Sequence, residues 1–161
     1  MTVDMRRVVP IADMAGDSAN DTALLKDMLT EASRYLKSFS WCGQIVETYF
    51  GLGVGGIVAV FLFGVSPSEP DVDEWLWVVV GDVPPAYLVT DEAPNPACAL
   101  KVYIGLMSEW VKAVHEGRPT DKLVPVNVDP TEEWANALEG RLDFLERRVL
   151  SGYTNDLTLC T

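Results

Sequence analysis

The chain is predicted to form one α+β domain over residues 1–150, a four-stranded antiparallel meander sheet with one N-terminal and two C-terminal helices. Three observations carry this expectation. A helical apolar stripe lies near the N-terminus, a strand-rich middle holds a charge-free stretch at 48–68, and two further helical stripes follow proline-marked caps.

The first helix is expected from about Asn20 to Leu36. There Leu25, Met28, Leu29, Ala32, Tyr35 and Leu36 recur at helical spacing, with Lys26, Asp27, Glu31 and Arg34 on the other side. Asp17, Ser18 and Asn20 are its N-cap candidates.

Strands are expected at Gln44 to Phe50, Ile57 to Phe63, Glu74 to Val80 and Ala86 to Thr90, with the glycine cluster at 51–56 as a turn. In the second strand Ile57, Ala59, Phe61 and Phe63 face one side and Val58, Val60 and Leu62 the other. The third strand repeats this with Trp75, Trp77 and Val79 against Leu76, Val78 and Val80. Strands apolar on both faces belong at the centre of a sheet, which leaves the more polar first strand and the short Pro-flanked fourth as edges. Short connections favour a meander.

Asn95 and Pro96 read as an N-cap and first helical residue for the stripe Leu100, Tyr103, Ile104, Met107, Trp110, Val111 and Val114, which ends at Gly117. Asp129-Pro130-Thr131-Glu132 resembles a capping box before Trp134, Leu138, Leu142, Leu145 and Val149, in a helix ending near Leu150. Between these helices lies a loop with an extended piece at Leu123 to Val128. Residues 151–161 show no period and are expected to form a tail. If all three helices lay on one sheet face, a second subunit would have to cover the other, which makes a homodimer through a sheet face the natural alternative.

Acidity sets the partner class. Twelve basic against 24 acidic residues give net charge -12, yet 48% of residues are hydrophobic, which excludes a disordered acidic tail. Each half of the chain carries about the same deficit. No basic stripe is available to release counterions from a polyanion, so nucleic acid is excluded as a partner and a basic protein is the better match.

Cys42, Cys98 and Cys160 are three and widely spaced, with no CxxC pair, which fits a reducing compartment and a cytoplasmic location. The N-terminus meets Asp13 and Asp17 before any long apolar run, unlike a secretory signal. The charge-free stretch is long enough for a membrane span, but its acidic flanks and glycine cluster favour paired strands. No membrane association is expected.

Gly51-Leu-Gly53-Val-Gly-Gly56 satisfies G-x-G-x-x-G but opens a β-branched run rather than a helix, so it lacks the helix N-terminus that holds a pyrophosphate. The lysine, H-R-D and D-F-G partners of a kinase-type glycine loop are also missing. Trp41-Cys42-Gly43 lacks a second cysteine because Ile45 stands in its place. His115 is the single histidine and suits a helix C-terminus. Glu69, Asp71, Asp73 and Glu74 lack the EF-hand pattern and read as a solvated acidic loop, which with Asp82, Asp91 and Glu92 forms an acidic face for a basic partner. Trp110 and Trp134 read as core, whereas Trp75 and Trp77 are open to core and interface readings alike.

The stretch Glu74-Trp-Leu-Trp-Val-Val-Val-Gly-Asp-Val-Pro-Pro-Ala-Tyr-Leu-Val-Thr-Asp91, with Asn95-Pro96 behind it, resembles a pattern of small uncharacterised bacterial proteins. It covers residues 74–96 only. The resemblance implies a bacterial origin and brings no activity or cofactor with it.

The reading that follows is a non-enzymatic module for a basic partner, similar by analogy alone to immunity or chaperone proteins. Glu69, Asp71, Asp73, Glu74, Trp75, Trp77, Asp82 and Asp91 are its candidate contact residues, with no catalytic, cofactor or metal set. The alternative is a small-ligand protein or enzyme with a pocket near the Gly81–Pro85 turn and the acidic loop. Convergence of two of Asp73, Glu74, Asp82, Asp91 and Cys98 in a deep pocket would favour it.

Overall fold

The charge-free stretch folds as a β-hairpin at the heart of the sheet. In the computed structural model, which describes residues 3–160, β2 (Gln44–Val54) pairs antiparallel with β3 (Val58–Ser66). β3 pairs with β4 (Trp75–Gly81), and β4 with β5 (Ala86–Val89). The meander was expected to have four strands and has five. β1 (Val9–Pro10) pairs with β2 through Val9 opposite Phe50, so the expected first strand is internal and the true edge is two residues long. Pro10 cannot donate to another strand, and it blunts that edge.

β3 is buried from Val58 to Val65, as strand alternation on both faces requires. Its two faces feed two cores. Val58, Val60, Leu62, Trp77 and Val79 join the larger cluster, whereas Ala59, Phe61, Phe63, Leu76, Val78 and Val80 join the smaller.

α1 (Ala19–Lys37) covers the smaller core with Leu25, Met28, Ala32 and Leu36. Full burial of a side chain such as Leu25 contributes roughly 2 kcal/mol. Ser18 caps this helix, its hydroxyl accepting from the Asp21 amide at 3.0 Å. α2 (Pro96–His115) covers the larger core, with Asn95 Oδ1 accepting from the Cys98 amide at 2.9 Å. α3 (Glu132–Phe144) packs along α2 and adds Ala135, Leu138 and Leu142 to the same core. Its cap is Thr131 rather than Asp129, so the helix opens two residues later than the capping-box reading places it. Helices from this one chain therefore cover both sheet faces, and the condition that called for a second subunit is not met.

The glycine cluster is mostly strand. Only residues 55–57 turn, while Gly51 and Gly53 lie within β2, where a Cβ would come within 2.7 Å of Pro96 on α2 and of Leu25 on α1 respectively. The absent side chains let helices close on both faces of one strand.

Of the expected tail at 151–161, the described residues 151–160 are largely helical. α3 passes into a π-helical turn (Leu145–Val149), a 3-10 turn (Leu150–Tyr153) and α4 (Thr154–Leu157). A Cys98–Cys160 disulfide then ties the segment to the first turn of α2. The wide spacing of the three cysteines does not keep them apart: residues 62 apart in sequence meet in space, and the expectation of a reducing compartment loses its basis. No strand forms at Leu123 to Val128. No helix among the described residues is long and apolar enough to cross a membrane.

Candidate functional site

The register of β4 separates the expected site residues. Glu69, Asp71, Asp73 and Glu74 are exposed in the loop before Trp75, and Asp91 follows β5 at that same end of the sheet because Leu76 stands opposite Val89. Asp82 follows Gly81 at the opposite end. The acidic face is therefore divided between two ends, and among the described residues no group of three or more His, Cys, Asp or Glu side chains gathers around a cation-sized space.

The tryptophans divide too. Trp77 is fully buried, its Nε1 donating to the Ala93 carbonyl at 3.0 Å, so it is core and cannot touch a partner. Trp75 is half-buried beside Tyr49, with ring centroids 6.3 Å apart.

A cleft does open at the Gly81–Pro85 turn. It encloses about 340 Å³ between this turn, Trp110 of α2, Trp134 and Leu138 of α3, and the 126–128 segment. That volume lies at the lower end of small-molecule sites. Gly81 shapes the turn with φ +140°, and a Cβ there would collide with the Ile57 carbonyl. The Tyr103 hydroxyl donates to the Pro84 carbonyl and fixes the turn to α2. Burial drives the Tyr103 phenol far above its ordinary range, which keeps the proton needed for that bond.

Inside the cleft Trp110 is 3% exposed, whereas Trp134, read from its helical spacing as core, is 50% exposed at the mouth. The difference has a local cause. Trp134 lies in the first turn of α3, three residues after the Thr131 cap, where it lines the cleft together with the 126–128 segment and keeps half of its surface in solvent.

Asp82 and Arg141 supply the charge at the rim. Arg141 Nε donates to Asp82 Oδ2 at 3.1 Å, and its Nη1 donates to the Ala137 carbonyl at 3.3 Å. A second space of about 340 Å³ lies on the other side of this pair, lined by Ile57, Phe144 and Leu145 among others. Of the five side chains whose convergence was the test, only Asp82 reaches the cleft. Cys98 is in the disulfide, and the acidic loop belongs to the far end of β4.

Trp134 and Arg141 are the residues that sequence reasoning missed. Their i, i+7 spacing with Ala137 between was a usable signal, since it puts all three on one side of α3, adjoining the Leu138–Leu142 stripe.

The other reactive groups are held in structure. His115 Nδ1 stands 2.6 Å from Glu132 Oε2, and Nε2 stands 3.7 Å from Glu139, joining the end of α2 to α3. Cys42 is buried against α1 and its thiol pKa is pushed up by that burial, which makes a poor nucleophile. The cleft thus offers aromatic walls with a positive and a negative group at its rim. No protein-family model matches this chain, and no curated protein or solved structure matches it either.

Proposed function

We propose that the chain is a non-catalytic binding protein whose cleft at the Gly81–Pro85 turn takes a small, flat, apolar ligand. The carrying observation is the pair Trp110 and Trp134, one buried at the base and one half-exposed at the mouth of the same 340 Å³ space. Aromatic rings supply large contact area at low entropic cost, and an exposed tryptophan on a cleft rim has no role in the core. Titration with 1-anilinonaphthalene-8-sulfonate tests the reading. The probe should bind saturably at one site, and Trp134→Ala should weaken it at least tenfold while circular dichroism stays unchanged. Equal binding by the variant would overturn the assignment.

A second reading is favoured by a separate observation. Glu69, Asp71, Asp73, Glu74 and Asp91 stand exposed at one end of the sheet, which suits a basic protein partner. Salt-dependent capture of such a partner, lost when Asp71 and Asp73 become Asn, supports it. Capture that ignores both salt and these substitutions counts against it.

A further inference from the structure

The C-terminal segment is fastened at a place where thiol chemistry has a built-in direction. Cys98 has no exposed surface, whereas Cys160 keeps part of its surface in solvent. An attacking thiolate therefore reaches the Cys160 sulfur first. Cys98 lies in the first turn of the 20-residue α2, where the positive end of the helix dipole favours a departing thiolate. Attack at Cys160 with Cys98 leaving is the direction that access to the two sulfurs favours.

We propose that Cys98–Cys160 is a thiol-exchange site, and that its opening by a dithiol unlatches residues 150–160 from α2 while the sheet and α1 stay folded. The dithiol thiolate bonds to Cys160 Sγ, and the sulfur–sulfur electron pair departs on Cys98 Sγ, which takes a proton. The second thiol of the reductant then attacks its own mixed-disulfide sulfur, closing a cyclic disulfide and expelling the Cys160 thiolate, which is protonated in turn. Two electrons and two protons pass from the dithiol to the protein. The freed Cys98 thiol has an acceptor at hand, the Asp156 carbonyl 3.5 Å away.

The remaining fastenings are few. Asn95 Nδ2 donates to the Asp156 carbonyl at 3.0 Å, and Arg7 pairs with Asp156 at 3.4 Å. α4 is four residues long, far below the length at which a helix holds itself. Leu150, Tyr153, Leu157 and Cys160 all pack on the α2-side core, and none belongs to the core beneath α1. Release therefore uncovers the first turns of α2 without touching the smaller core.

Hydrogen exchange read by mass spectrometry on the full chain tests this, comparing oxidised protein, protein with dithiothreitol, and Cys160→Ser. Peptides from 150–160 should exchange at least tenfold faster in the latter two, with β3 and β4 unchanged. Glutathione quenched early with acid should be found on Cys160. Unchanged exchange at 150–160, unfolding of the sheet on reduction, or an adduct on Cys98 would each overturn the proposal. Reduced wild-type protein keeps the test valid should Cys160→Ser fail to fold.

Discussion

Pro96, the first residue of α2, rests on Gly51 in the middle of β2, so closely that a Cβ at residue 51 would stand 2.7 Å from Pro96 Cγ and 2.8 Å from the Val60 carbonyl. The contact accounts for a glycine that a phosphate-loop reading of 51–56 would have assigned to a ligand. Gly51→Val should cost about 2 kcal/mol, since a rigid ring and a neighbouring strand carbonyl both have to move. Gly53→Ala should cost less, because its closest neighbour, at 2.7 Å, is the end of the Leu25 side chain, and the Phe50 ring and Val58 carbonyl stand farther off at 3.1 and 3.2 Å. Urea denaturation of the two variants measures the difference, and equal midpoints would show that Pro96 yields freely.

What the sequence made legible follows from how local each signal is. Alternation in β3 and β4 is written residue by residue, and Asn95-Pro96 caps α2 through contacts within four residues. β1 escaped because two residues carry no period. The α3 cap was misplaced because Asp129 and Thr131 both precede a good first turn, and only geometry chooses between them. The disulfide and the α3 wall of the pocket expected at the Gly81–Pro85 turn escaped for a different reason: Cys98 meets Cys160, and Asp82 meets Arg141, only after the whole chain has folded.

Tyr103 and Tyr35 make the fold sensitive to alkali. Burial above all pushes the Tyr35 phenol up to about 12 from its ordinary 10, and the Tyr103 phenol well above its ordinary value. In the unfolded chain both ionise near pH 10. Below that pH both states hold the protons and the contribution is fully present; above it the folded chain keeps protons the unfolded chain has lost, so stability falls as pH rises. The denaturation midpoint should drop beyond about pH 10, and drop less steeply in Tyr103→Phe. That variant should also lose about 1 kcal/mol at neutral pH with the bond to the Pro84 carbonyl. A parallel pH profile for variant and wild type would contradict this account.

The Cys98–Cys160 bridge closes a 62-residue separation. By the loop-entropy model such a crosslink contributes about 4 kcal/mol, through restriction of the unfolded chain. Guanidinium unfolding with and without dithiothreitol should differ by that order, and Cys42→Ser should leave the difference intact because Cys42 is the free thiol. A shift below about 1 kcal/mol would mean that the reduced chain is already held compact near residues 98 and 160.

Arg141 separates stability from recognition. Its pair with Asp82 is solvent-exposed, with side chains 44% and 68% accessible, so Arg141→Ala should change stability by less than about 1 kcal/mol. Binding is another matter, because the guanidinium stands on the rim between two apolar spaces of about 340 Å³ each. An anionic naphthalene probe gains from that charge and should weaken about fivefold or more in the variant. An uncharged naphthalene of the same size has only the tryptophan walls to contact and should bind the variant at least as well as the wild type. Paired titrations with the two probes distinguish the contributions: equal weakening of both would show that Arg141 shapes the cleft, whereas loss confined to the anion shows that it reads charge.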